Sequence, residues 1–142
     1  IDIDIRKHNK KAIEDHPMSK KITMLEGSSI SETIISQVKD FSKNSKNIMV
    51  ILDSNHTHKH VLDELNAYSS LVSKDSYCIV FDTIIEDMPE DSFSNRPWCK
   101  GNNPKTAVRE FLKFHDEFII DENIQNKQLI TVAPDGYLKK IK

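Results

Sequence analysis

Two apolar runs in this sequence each end at an aspartate. Residues 48–52 (IMVIL) precede Asp53, and residues 77–81 (YCIVF) precede Asp82. An apolar run of about five residues between polar turn residues is typical of a buried strand. Because adjacent parallel strands lie about 4.8 Å apart, acids at both carboxyl ends could share a hard cation such as Mg²⁺. The spacing is equally consistent with each aspartate capping a following helix.

His56 follows Asp53 by three residues and can reach the same pocket. Histidine titrates near neutral pH, which suits a general base beside a hydroxyl bound to a metal. The commoner situation for such a residue is a solvated loop histidine. A zinc site that joins His56 to His60 is a minor hypothesis, because no cysteine or fourth ligand lies nearby in the sequence.

Two early segments offer candidate cofactor-binding residues. Asp2 and Asp4 lie at the end of an expected first strand, where nucleotide-binding α/β folds place an acid on ribose hydroxyls. Gly27 and Ser28 follow the next expected strand and could line an adenine pocket. Each signal is weak alone, since polar residues are common at strand ends. The chain has 3 glycines, and none forms a phosphate-cradling loop.

Residues 83–103 form the only long stretch without helix or strand periodicity. A loop of that length inside a compact domain is usually functional or disordered. Trp98 offers a flat face for a sugar or aromatic ring, and Arg96 could pair with an anion. We therefore favour a lid over a polar substrate. The alternative is a structural loop whose Trp98 fills the edge of the core.

Composition restricts the class of protein. The 142 residues, 37% apolar and 30% charged, indicate one globular domain over residues 1–142. A net charge of −2 argues against a nucleic-acid or membrane-surface binder. No apolar run approaches the roughly 20 residues of a membrane span, and no segment resembles a signal peptide. Two cysteines, Cys78 and Cys99, fit a reduced cytoplasm, in which a disulfide between them is not expected.

The hydrophobic pattern alternates between strands and helices. It predicts a mostly parallel α/β sheet with helices on both faces. The expected strands cover residues 1–5, 22–25, 48–52, 77–81, 118–120 and 129–132, with 137–138 extending the last. The expected helices cover residues 7–16, 31–41, 57–71 and 104–115. Exposed sheet edges would favour association into a homo-oligomer.

Four segments carry a resemblance to a known family. They are LDSNHTHKHVLDEL at 52–65, FDTIIEDMP at 81–89, RPWCKGNNPKTAVREFL at 96–112 and ITVAPDGYLKKI at 130–141. In these segments the chain resembles the cephalosporin hydroxylase family, which includes rhamnosyl O-methyltransferase-like proteins. The resemblance implies a Rossmann-like fold of the class I S-adenosylmethionine-dependent methyltransferases with an antiparallel last strand. It also implies Mg²⁺-dependent methylation of a hydroxyl on a small-molecule or saccharide acceptor.

The resemblance assigns roles to particular residues. Asp53 and Asp82 match two metal-ligand aspartates, and His56 matches a proposed base. Asp2, or less well Asp4, matches the acid that holds the cofactor ribose. One relative has an acid just before its second metal aspartate, where this chain has Phe81. That departure removes one metal ligand and predicts weaker metal affinity.

A second departure from the family pattern concerns the N-terminal part of the fold. The usual strand order is 3-2-1-4-5-7-6, and this sequence begins at what corresponds to strand 2. We therefore expect the first strand and its glycine-rich turn to be lacking, so that residues 1–142 form the C-terminal portion of the fold. Such a segment alone is expected to be a poor methyltransferase. The rival hypotheses are a non-catalytic binding or accessory protein and, with less support, a metal-dependent hydroxylase, for which no clear two-histidine, one-carboxylate triad exists.

Overall fold

Four short strands form a mixed sheet in the computed structural model, which describes all 142 residues. The strands are β1 (Val50–Leu52), β2 (Tyr77–Val80), β3 (Phe118–Ile120) and β4 (Tyr137–Lys140), in the spatial order β1-β2-β4-β3. β1 pairs in parallel with β2, whereas β4 is antiparallel to both β2 and β3. Three strands therefore run in one direction and the last strand of the chain is antiparallel to its neighbours, so the sheet is mixed, with one parallel pairing, and not mostly parallel in its pairings. The order is that of the last four strands implied by the resemblance.

Five α-helices accompany the sheet. They are α1 (Lys7–Glu14), α2 (Glu32–Ser42), α3 (His58–Tyr68), α4 (Pro104–Phe111) and α5 (Glu122–Gln128). α2 begins where the Ser31 side chain accepts a hydrogen bond from the backbone N–H of Ile34. α4 begins with Pro104 behind an Asn103 cap that accepts from two backbone N–H groups, which is a strong start signal. The predicted helices at 7–16, 31–41, 57–71 and 104–115 are thus present with shifted ends.

The hydrophobic core lies between the sheet and the helices α3 and α4. Strand alternation places Leu52, Cys78 and Leu138 on this face, where all three are buried. Leu65 from α3 and Phe111 from α4 pack against them. α2 adds Ile35 and Val38 to the edge of the same cluster. Phe41, although it shares the helical spacing of α2, is 60% exposed.

The opposite face of the sheet is less covered. Ile51 of β1 is 52% exposed and Ile119 of β3 is 46% exposed. α5 contacts this part of the molecule through β4, where the Tyr137 hydroxyl donates to Gln128. The helices α2, α3 and α4 therefore lie on the core face and the short α5 on the other, while α1 contributes no buried residue.

The segments 1–5 and 22–25 are not strands, contrary to the sequence prediction. They meet in one parallel bridge between Asp2 and Glu26. Two backbone hydrogen bonds hold this bridge, from Asp2 to the Leu25 carbonyl and from Gly27 to the Asp2 carbonyl. Neither segment pairs with β1, and two short chains without a third neighbour do not sustain a sheet.

The segment 129–132 is also not a strand. The preceding residues form α5, which begins at an Asp121 side chain that accepts a hydrogen bond from Asn123. Leu129 ends that helix at φ 61°, and Leu129 and Ile130 are each 90% exposed. A β-compatible sequence that packs against nothing does not form a strand, because its propensity reflects packing on a sheet. β4 begins instead at Tyr137.

Residues 83–103 are more ordered than the sequence indicated. Two 3₁₀ turns, Thr83–Asp87 and Glu90–Phe93, occupy the first half of the segment. Thr83 and Ile85 are buried, so the start of the segment is part of the fold.

Cys78 is buried and Cys99 is exposed, and both are free thiols. None of the helices has the length and apolar character needed to cross a membrane.

Candidate functional site

β1 and β2 deliver the two aspartates to one edge of the sheet. Their parallel register pairs Leu52 with Val80, so Asp53 and Asp82 follow at neighbouring positions. One ligand atom each from Asp53, His56 and Asp82 lies within 4.8 Å of the others. The His56 Nε2 is 3.2 Å from Asp82 Oδ2. The structure thus brings together the three residues that the sequence proposed for metal binding and proton transfer.

Neither aspartate caps a helix. α3 begins behind Thr57, four residues after Asp53. Asp82 precedes a 3₁₀ turn, but its side chain makes no capping hydrogen bond there. Asp82 adopts a left-handed backbone conformation, with φ 55° and ψ 24°. Aspartate is one of the few residues that enters this region readily. The capping alternative therefore does not account for these carboxylates, which face His56 instead.

Trp98 extends the group toward the long segment. Its ring meets the His56 ring edge-on, with the centroids 4.7 Å apart. The guanidinium carbon of Arg96 lies 5.4 Å from the Trp98 ring centroid. Arg96 is exposed and Trp98 is half-buried. The indole therefore contacts the imidazole at the site and is not part of the hydrophobic core cluster.

A cleft of about 410 Å³ opens beside these residues. It collects several of the predicted site residues: Asp2, Gly27, Ser28, Asp53 and Trp98. Its remaining lining residues are Ile1, Ile3, Ser29, Ser54, Asn55 and His60. Asp4 does not line the cleft, and its backbone N–H donates to Asp2 Oδ1 at 3.1 Å. The cleft therefore has two walls, one from residues 27–29 and one from residues 53–55.

Contacts between its two ends hold the segment that carries Trp98. Glu86, near the start, accepts through Oε2 from the backbone N–H of Gly101 at 2.8 Å and from the Asn103 side chain, both near the end. Burial alone would raise the pKa of Glu86, but these hydrogen bonds and nearby cations bring it below the ordinary value. A second contact joins the same two ends, because the buried Lys105 ammonium pairs with Asp87 at 2.6 Å, and it also pairs with Asp135 at 3.2 Å. These contacts position the segment beside the cleft.

The three closely spaced histidines do not form a common site. His56 contacts Asp82. His58 places Nδ1 2.8 Å from the Thr106 hydroxyl and Nε2 3.1 Å from Glu110, and so joins α3 to α4. His60 lines the cleft. The zinc hypothesis for His56 and His60 is therefore not supported, because no group of metal-ligating side chains includes both.

Two carboxylates and an imidazole beside a polar cleft can hold a hard cation and accept a proton. A protein-family model described as rhamnosyl O-methyltransferase/CmcI matches residues 1–141. The chain belongs to this family. No curated protein and no solved structure matches the chain significantly. The family is an O-methyltransferase family, which agrees with the resemblance noted in the four sequence segments.

In this member of the rhamnosyl O-methyltransferase/CmcI family, a polar network connects residues that line the cleft to the buried Glu64 and Tyr68 of α3. The His60 Nε2 is 3.1 Å from the Ser29 hydroxyl and 3.2 Å from the Ser54 hydroxyl. The Ser54 hydroxyl donates to Glu64 Oε1 at 2.7 Å. The Tyr68 hydroxyl donates to the Ser29 carbonyl.

Sequence reasoning did not identify this network as part of the site. Its signal in the sequence is the pair His60 and Glu64, which are four residues apart and therefore share one face of α3. Glu64 is 2% exposed, an unusual position for a carboxylate. Burial, with the negative Glu64 as a second cause, raises the pKa of Tyr68. The same two causes raise the pKa of Cys78 to about 12.

Proposed function

We propose that this chain acts in S-adenosylmethionine-dependent, Mg²⁺-assisted methylation of a hydroxyl on a sugar or another small molecule. The observation that carries the proposal is the convergence of Asp53, His56 and Asp82 beside the cleft that Asp2 lines. Membership of an O-methyltransferase family supports the reaction type. The cleft offers an acid for ribose hydroxyls at Asp2 and small residues at Gly27 and Ser28, as a nucleoside requires.

The donor set fits Mg²⁺. This ion prefers one or two protein carboxylates and fills its other positions with water and substrate oxygens. Asp53 is exposed, and the Asp82 side chain is 35% exposed, so both carboxylates can share a partly hydrated ion. Phe81 contributes no oxygen where a relative has an acid, which leaves two carboxylates as the protein's contribution. When bound, Mg²⁺ would supply Lewis acidity to an acceptor hydroxyl, and S-adenosylmethionine would supply the methyl group.

His56 is the proposed base. Its Nε2 can either donate a hydrogen bond to Asp82 or accept a proton, but it cannot do both at once. The base role therefore requires Asp82 to take another partner, as it would when acting as a metal ligand. The Trp98 ring packs against the imidazole edge and restricts its rotation. Trp98 and Arg96 would cover an acceptor bound at the outer rim of the cleft. Holding donor and acceptor in fixed geometry supplies much of the rate in such transfers.

Calorimetric titration of S-adenosylhomocysteine, with and without Mg²⁺, tests the cofactor assignment. Binding should weaken clearly from the wild-type chain to Asp2→Asn, because a neutral amide is a poorer partner for two ribose hydroxyls. Asp15→Asn, at an exposed position after α1, is the matched control and should bind like wild type. Absence of binding in both conditions would refute cofactor use by this chain.

A transfer assay on hydroxylated acceptors tests the metal and base roles. Asp53→Ala should abolish Mg²⁺-dependent methylation while the chain remains folded. His56→Ala should lower turnover more than cofactor affinity, and an equal loss of both would contradict the base role.

A non-catalytic binding protein is the second candidate function. It accounts for the polar cleft that Asp2 and Trp98 line without requiring a transfer step. It predicts saccharide or nucleoside binding in the cleft without methyl transfer under any metal condition. The metal-dependent hydroxylase has less support, because the cluster contains two carboxylates and one histidine, whereas such oxygenases use two histidines and one carboxylate.

A further inference from the structure

The two walls of the cleft come from distant parts of the chain, and one side chain contacts both. The Ser29 hydroxyl belongs to the 27–29 wall, and the Ser54 hydroxyl belongs to the 53–55 wall. The His60 Nε2 lies 3.1 Å from the first and 3.2 Å from the second. No strand pairing joins these walls, because the 22–26 segment does not pair with β1.

The hydrogen-bond donors of this network can be assigned from its partners. The Ser54 hydroxyl has one proton and directs it to Glu64 Oε1 at 2.7 Å. Its oxygen therefore receives a hydrogen bond from His60, which requires a proton on Nε2. That same N–H faces the Ser29 oxygen. Glu64 is 2% exposed, and its Oε1 accepts from Ser54 and lies 3.5 Å from His60 Nε2, whereas its Oε2 has no hydrogen-bond partner.

A second contact fixes the Ser29 wall. Tyr68, one turn beyond Glu64 on α3, donates its hydroxyl to the Ser29 carbonyl. Ser29 is itself 8% exposed. The face of α3 that carries His60, Glu64 and Tyr68 thus serves as a common support for both walls.

From these contacts we infer that His60 is a positioning residue that sets the separation of the two cleft walls and thereby the affinity for the bound nucleoside. The inference rests on the proposed function for its ligand, whereas the wall separation is a property of the chain itself. His60 is not a member of the proposed metal group, which consists of Asp53, His56 and Asp82. Its loss should therefore weaken cofactor binding more than metal binding.

Hydrogen exchange measures the walls without any ligand. The backbone N–H groups of Gly27 and Ser31 are hydrogen-bonded on one wall, and that of Thr57 is hydrogen-bonded beside the other. His60→Ala should accelerate exchange on both sides. The amide of Val61, in the first turn of α3, reports unfolding of the helix itself and should change little.

Two variants separate positioning from a general structural effect. His60→Gln places an amide N–H₂ near the position of Nε2 and can donate to both serines, so it should restore most protection. His58→Ala removes the histidine that joins α3 to α4 on the same helix and leaves the cleft contacts intact. This variant should lower the melting temperature without selectively accelerating amide hydrogen exchange at Gly27 and Thr57.

A second experiment measures the binding of S-adenosylhomocysteine and of Mg²⁺ to the variants in separate titrations. We expect His60→Ala to raise the dissociation constant of S-adenosylhomocysteine about 5- to 10-fold, as loss of one or two hydrogen bonds implies, with the Mg²⁺ affinity nearly unchanged. Equal losses for both ligands, or identical behaviour of His60→Ala and His58→Ala, would overturn the inference. If the wild-type chain binds no S-adenosylhomocysteine, the proposed cofactor assignment is wrong, and hydrogen exchange alone tests the positioning role. Faster exchange at both walls in His60→Ala then supports that role, and unchanged exchange refutes it.

Discussion

Substitution of Asp82 by asparagine separates the charge of this residue from its backbone role. Asp82 adopts a left-handed backbone conformation with φ 55°. Asparagine tolerates that conformation as well as aspartate does, and it has nearly the same shape. The variant should therefore fold. What it loses is one of the two negative charges that face each other beside His56.

The expected loss of Mg²⁺ affinity follows from the exposure of the site. Two unit charges 4 Å apart interact by about 1 kcal/mol in water and about 4 kcal/mol near a protein surface. A divalent ion doubles these values. Because the Asp82 side chain is 35% exposed and Asp53 is exposed, solvent screening favours the lower limit. A loss of about 2 kcal/mol corresponds to roughly 30-fold weaker binding.

Titration with Mn²⁺, followed by water proton relaxation and competed with Mg²⁺, measures this affinity. The matched control is Asp63→Asn, which removes an acid that pairs with Lys59 at the surface of α3. That control should leave metal affinity within a factor of two. In metal-free buffer, Asp82→Asn should not destabilise the chain, because it relieves repulsion between two carboxylates. Metal affinity equal to wild type, or a large loss of stability without metal, would refute the metal-ligand assignment.

Three further substitutions or reactions have defined outcomes. Phe81→Glu should tighten Mg²⁺ binding about 10-fold by adding a carboxylate beside the site, measured by the same Mn²⁺ competition; unchanged affinity would show that this position does not face the ion. In native protein at neutral pH, iodoacetamide should modify Cys99 and spare Cys78, whose pKa is raised to about 12 by burial; mass spectrometry of the digested protein distinguishes the two sites. Gly136→Ala should destabilise the fold by about 2 kcal/mol or more, because an added Cβ would lie 2.2 Å from the Val80 carbonyl oxygen; urea unfolding provides the measurement.

The sheet edge that carries the acids could be predicted because its signal is local. An apolar run that stops at an acid predicts both the strand and the position of its carboxylate, although Ile51 of β1 is 52% exposed. The runs before Asp53 and Asp82 are of this kind, and their parallel pairing then brings the acids together. His56 follows within the same loop, so its position required no knowledge of distant contacts.

The polar network could not be predicted for the opposite reason. His60 and Glu64 are visible as a pair on one helix face, but Ser29 lies 31 residues from His60. Spacing along the chain carries no information about such a contact. α5 was missed because ENIQNKQ has no apolar stripe, and a helix without one gives no periodic signal. Its local start signal is the Asp121 cap.

The failed strands show how little backbone pairing is needed to position Asp2. Alternating acids and aliphatic residues at 1–5 favour a strand only if a neighbour supplies hydrogen bonds along its length, and β1 does not. The bridge to Glu26 nevertheless provides two hydrogen bonds, from Asp2 to Leu25 and from Gly27 to Asp2. These bonds place Asp2 and Gly27 side by side in the cleft wall. Since the wall lacks the support of a sheet, its distance from Asp53 must depend on side-chain contacts, which include those of His60 and Tyr68 with Ser29 and the packing of α2 on the core.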